Sequence, residues 1–190
     1  MPYHVHAFVD GGYLAKLAQE RKVPLPDPRH LAEQILRAEF YVIGDTPTVL
    51  TRVTYYDASP QDPVTETPES RLSYWEAVEA LPDTALGFGF LRARRGREPR
   101  QKAVDTLMAV DMVVGAFTGI FSVALLIAGD SDFVPVVDEV RRRGVLVLLA
   151  ADRSSVNEEL LRSVDRFVPI GPESNVPFAA LTVNGRTWPT

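Results

Sequence analysis

The sequence predicts an α/β protein, a three-layer α/β/α sandwich around a mainly parallel central sheet. Two observations predict it. Strand-like and helix-like stretches alternate along most of the chain, and several strand-like runs are apolar throughout, as strands covered on both faces are. The length of 190 residues suits one compact core, and 46% hydrophobic with 24% charged residues is an ordinary globular balance.

The elements follow from period and punctuation. Val5–Val9 is a β-branched and aromatic run that stops at Asp10-Gly11-Gly12, after which Leu14, Leu17 and Ala18 recur at helical spacing. A Pro-rich connector, Pro24 to Pro28, leads to a second helix on Leu31, Ile35, Leu36 and Phe40. Thr48–Tyr56 reads as a strand, Ala58–Ser70 with its three prolines as a surface loop, and Leu72–Leu81 as a helix. Ala85–Leu91 is a strand, Val104–Phe117 a helix, Val123–Ala128 a strand, and Phe133–Arg143 a helix stopped by Gly144. Val145–Ala150 is a further strand, followed by a helix over about Val156–Val164 and a short strand at Phe167–Ile170. Residues 1–170 therefore read as the domain and 171–190 as an accessory tail, in which Val183-Asn184-Gly185-Arg186 suits a type I′ turn.

Composition excludes several chemistries. With no cysteine there is no disulfide, thiolate metal site or thiol nucleophile. No stretch approaches the roughly 20 apolar residues of a membrane span, and Met1–Asp10 has no leader pattern, so a cytoplasmic protein without membrane contact is the expectation. No P-loop is present, and Gly87-Phe88-Gly89 lacks the third glycine of a dinucleotide fingerprint. His4, His6 and His30 lack metal-type spacing and read as packing or surface residues.

In a parallel sheet the informative residues are those just after each strand, because ligands gather beyond the carboxyl ends. Asp10 follows the first strand, Asp130 and Asp132 follow Val123–Ala128, and Asp105 opens the helix that begins at Val104. These four carboxylates can converge on one edge of the sheet. Clustered carboxylates repel unless a cation sits among them, and Mg²⁺ or Mn²⁺ suits an all-oxygen set. Each also has a plain structural reading, since Ser131 or Asp132 can cap the following helix and Asp105 suits a first helical turn. Asp111 lies six residues beyond Asp105, turned about 120° and about 9 Å further along the axis, so it reads as a residue behind the ligands or on the surface rather than one among them. Asp57 reads as a turn residue, and Gly11-Gly12 as a tight strand-to-helix turn with exposed N–H groups.

The net charge of −5 conceals an asymmetry. Arg92–Lys102 carries six basic residues and one acid, which leaves the rest of the chain with 14 basic and 24 acidic residues, a net −10. Read as a loop beside the Asp105 helix, this stretch is suited to a phosphodiester backbone through Arg94, Arg95, Arg97 and Lys102.

Phe8-Val9-Asp10-Gly11-Gly12-Tyr13-Leu14, Lys102-Ala103-Val104-Asp105 with Asp111, and Ala128-Gly129-Asp130-Ser131-Asp132-Phe133 with Pro135 and Gly144 together resemble the NYN domain, and more narrowly its LabA-like branch within the PIN-like nuclease superfamily. The resemblance runs over about Val5–Ile170 and includes Asp165 and Phe167. It implies a PIN-like sandwich and Mg²⁺- or Mn²⁺-dependent cleavage of RNA, with Asp10, Asp105, Asp130 and Asp132 on the family's acidic positions as catalytic residues and metal ligands. Asp111 falls on a further family acid. One departure is Tyr13, where many NYN domains have Asn. The expectation is thus a metal-dependent endoribonuclease. The alternative is a PIN-like RNA-binding or regulatory module with weak or no turnover. RNA is the expected partner, with a homodimer or protein partner left open. Gly-Asp-Ser-Asp-Phe also resembles a late motif of haloacid-dehalogenase-like phosphatases, but Gly12 stands where that superfamily needs a second acid.

Overall fold

The computed structural model describes residues 1–38, 47–60, 69–94, 97–171, 174, 176 and 180–189; at 59–60, 90–94 and 97–102 it describes the course of the backbone. In chain order the elements are β1 (Tyr3–Asp10), α1 (Gly11–Arg21), α2 (Pro28–Ala38), β2 (Thr48–Pro60), α3 (Glu69–Glu79), β3 (Thr84–Arg94) and β4 (Arg97–Lys102). They continue with α4 (Val104–Thr118), β5 (Val123–Ile127), a 3₁₀ turn (Ser131–Phe133), α5 (Val134–Arg142), β6 (Leu146–Ala151), α6 (Glu158–Ser163) and β7 (Arg166–Pro169).

The strands form one sheet in the order β4-β3-β2-β1-β5-β6-β7. Six of them run parallel, and β4 pairs antiparallel with β3 at one edge. This is the α/β sandwich that the alternation of elements predicts. Side chains alternate across each strand with a period of two. Val5, Ala7 and Val9 of β1 and Leu125 and Ile127 of β5 pack into one core with α1, α2 and α3. Phe8, Ala124 and Leu126 face the other core, against α4, α5 and α6. Both faces are covered, and that is why these strands are apolar without interruption.

Two details depart from the sequence reading. The basic stretch read as a loop is a hairpin: β3 continues to Arg94 and β4 returns from Arg97 to Lys102 in antiparallel register, Phe90 opposite Lys102. An edge hairpin needs no apolar alternation to declare it, so its charges hid it. Of the four cations assigned to RNA, Arg95 lies outside the described residues, as do the side chains of Arg94, Arg97 and Lys102. Asp57 is no turn residue. It lies inside β2, 1% exposed, where Arg71 grips both carboxylate oxygens at 2.6–3.0 Å and Trp75 Nε1 donates at 2.8 Å.

Beyond β7 the chain crosses the α1/α2/α3 face. Val176, Leu181 and Trp188 are buried in that core, Leu25 N–H donates to the Trp188 carbonyl, and Leu181 N–H donates to that of Leu25. Asn184 and Gly185 both have positive φ, 51° and 78°, within a Val183–Arg186 bridge, as a type I′ turn requires. Among the described residues no helix is long and apolar enough to cross a membrane.

Candidate active site

The chain leaves β1 toward β2 and β3 on one side and places β5, β6 and β7 on the other, so the order reverses between β1 and β5. Such a switch point opens a crevice at the strands' carboxyl ends. Asp10 is the last residue of β1, and Val9 pairs with Ile127 at the end of β5, which carries the chain directly into Gly129-Asp130. A cleft of 510 Å³ opens there, lined by Asp10, Asp105 and Asp130 together with Tyr13, Lys16 and the 154–157 segment.

Each acid has a local reason for its place. Asp10 is the N-cap of α1: its backbone is extended and its Oδ1 accepts the Tyr13 N–H at 3.0 Å. The helix begins at Gly11 with no left-handed turn. Gly11 is required by space, since a Cβ there would come within 2.5 Å of the Tyr55 ring. Asp105 sits in the first turn of α4, as its sequence position suggests. Asp130, rather than Ser131 or Asp132, is the capping residue after β5, accepting the Asp132 N–H at 3.1 Å.

The carboxylates disturb one another. Burial pushes the Asp10 carboxyl up to about 6, held back by the Tyr13 and Gly12 N–H groups and pushed further by Asp105 and Asp57. Desolvation at the cleft wall, then the Asp130 and Asp132 charges, raise Asp105 above the ordinary carboxylate range. Among the described residues no Lys, Arg or His forms an ion pair with Asp10, Asp105, Asp130 or Asp132. Nor, among those residues, do three His, Cys, Asp or Glu side chains stand close enough to grip an ion together.

Not every predicted acid reaches the cleft. Asp132 is exposed and lies outside the lining, acting on it through its charge on Asp105. Asp111 also lies outside the lining and accepts the Tyr56 hydroxyl at 2.9 Å. His6 is a packing residue: it stacks on Phe8 at 4.1 Å and bonds Thr54 Oγ1 at 2.9 Å, and burial pushes its pKa down to about 4.

Sequence reasoning missed the non-acidic part of the lining. Tyr13 packs on Gly129, where a Cβ would come within 2.6 Å of its ring. Its hydroxyl accepts the Asp152 N–H at 2.9 Å and bonds Ser155 Oγ at 3.3 Å. Asp152, Ser154, Ser155 and Asn157 follow β6, where a residue just past a strand end is placed to line the crevice, and that position is the signal the sequence offers for them.

A comparison with protein-family models matches the NYN domain over residues 4–171, nearly the whole of the described sheet. The chain belongs to the NYN domain family. It therefore carries the PIN-like, nuclease-type fold of that family. A search of curated proteins finds no match. Among solved structures, a protein of unknown function from Vibrio parahaemolyticus superposes with a TM-score of 0.61 at 15% identity, covering 88% of this chain and 93% of its own. That likeness shows a shared fold for this NYN domain.

Proposed function

We propose that this NYN domain is an endoribonuclease of the LabA-like branch, hydrolysing RNA phosphodiester bonds with Mg²⁺ or Mn²⁺. The observation that carries the reading is the meeting of Asp10, Asp105 and Asp130 in one cleft at the switch point, with the Asp10 and Asp105 carboxyl pKa values raised and no ion pair to any of the three among the described residues.

The donor set fits a hard divalent ion. All three side chains offer oxygen, and Mg²⁺ needs only one or two protein carboxylates when waters and substrate phosphate complete its shell, so a cage closed by protein alone is not required. Asp10, Asp105 and Asp130 are the proposed ligands, with Asp132 at the rim as a further ligand or as the group that orients water. When bound, the ion offsets the carboxylate charge and supplies Lewis acidity at the phosphoryl oxygens.

The chain's own groups do the rest. The Tyr13 N–H fixes the rotamer of Asp10, and the exposed Lys16 ammonium offers the cleft's cation to a strand phosphate. Arg94, Arg95, Arg97 and Lys102 of the hairpin region are proposed to guide the backbone toward Asp105. The test is hydrolysis of single-stranded and structured RNA with Mn²⁺ or Mg²⁺. Wild type cleaves and Asp130→Asn does not; equal cleavage by both removes the carboxylate chemistry, and RNA binding without cleavage by wild type establishes a binding module instead.

A further inference from the structure

Beside the cleft lies a second pocket, of 540 Å³, at the carboxyl ends of β6 and β7. Arg21, Asp152, Arg153, Ser154, Ile170 and Ser174 line it, and Ser154 lines the acidic cleft as well. The two hollows are therefore neighbours, divided by the turn that follows β6. That turn is braced from both sides: Tyr13 takes the Asp152 N–H on the cleft side, and on the pocket side the Asp152 carboxylate is paired with Arg21. Ser154 closes the turn, its N–H and hydroxyl donating to Asp152 Oδ1 at 2.7 and 2.6 Å.

The pocket is built around Arg21. This side chain runs from the end of α1 to donate to the Ile170 carbonyl at 3.3 Å, beneath Gly171, where any Cβ would collide with the guanidinium. Two guanidinium groups supply donors, Asp152 and the two serine oxygens, whose protons go to Asp152 and to backbone carbonyls, supply acceptors, and Ile170 gives an apolar floor. Arg21 is paired with Asp152 and Arg153 with Glu158 at 3.0 Å, so the pocket is close to neutral and has little pull on a free anion. It suits a ligand that brings a phosphate together with hydrogen-bonding and apolar surface, and its volume is that of a small-ligand site.

We propose that this pocket is a subsite for the RNA strand, taking the nucleotide next outward from the cleft as the strand crosses Ser154. The proposal rests on the nuclease reading and adds a path for the substrate. A dinucleotide fills the cleft alone, whereas a longer strand reaches both hollows.

The test measures binding without divalent ion, so that no cleavage intervenes, using a single-stranded RNA dinucleotide as competitor and a fluorescein-labelled decamer. Arg153 is exposed and can be changed without disturbing the core. Arg153→Glu weakens decamer binding about tenfold and leaves the dinucleotide unaffected. Arg153→Lys keeps decamer binding within about twofold of wild type, as does Arg37→Glu, the same charge change on α2. Decamer binding unchanged in Arg153→Glu, or a dinucleotide that loses as much as the decamer, overturns the subsite while the nuclease reading stands. Wild type that binds neither RNA overturns the subsite, and the nuclease reading then stands or falls on the cleavage assay with Mn²⁺ or Mg²⁺.

Discussion

The hydroxyl of Tyr13 accepts the backbone N–H of Asp152 at 2.9 Å across 139 residues of sequence, while the Tyr13 N–H donates to Asp10 Oδ1 at 3.0 Å. One residue thus orients a cleft acid with its backbone and holds the turn after β6 with its side chain. Burial keeps the phenol protonated well past neutral pH. Removing the hydroxyl leaves a half-buried N–H without its acceptor. Tyr13→Phe is expected to lose about 1–2 kcal/mol in urea unfolding, with little change in the folded spectrum.

Asp10 sets a pH dependence whose sign is opposite to that of a salt-bridged acid. Its folded pKa of about 6 lies above the ordinary carboxyl value of 3.8, so between these values the folded state holds more protons than the unfolded state. Stability of the metal-free protein then falls as pH rises from about 4 to above 6, and the cost is complete at pH 7. Asp10→Asn removes the charge and keeps a capping side chain. It is expected to stabilise the metal-free protein at pH 7 by on the order of 1–2 kcal/mol and to flatten the pH profile, read by chemical denaturation at pH 5 and pH 7.

The Asp57–Arg71 pair calls for the reverse outcome. Asp57 is buried and bonded by Arg71 and by Trp75 Nε1, so removing it strands the guanidinium and the indole N–H together. Asp57→Ala is expected to cost about 3–5 kcal/mol, read from the urea midpoint at constant m-value.

These residues mark how much the sequence discloses. Asp10, Asp105 and Asp130 were legible because a parallel sheet gathers its strand ends, and strand ends can be located from apolar runs such as Val123–Ile127. Asp57 was not, because its role depends on Arg71 and Trp75, 14 and 18 residues away on α3. Nor was Tyr13's: its local pattern shows a helix N-terminus, while its partners Asp152 and Ser155 come from the far end of the sheet. The β3–β4 hairpin escaped for another reason. Its second strand lies at the sheet edge, and Arg97–Lys102 carries the composition of a loop and the hydrogen-bonding of a strand.

The central claim is that Asp10, Asp105 and Asp130 meet in order to hold a divalent cation. Anomalous diffraction from a crystal of this protein soaked in Mn²⁺ tests it most directly. The account predicts a manganese peak among these three carboxylates, lost in Asp130→Asn. A saturated soak with no peak in that cleft, or with manganese bound only elsewhere, contradicts it.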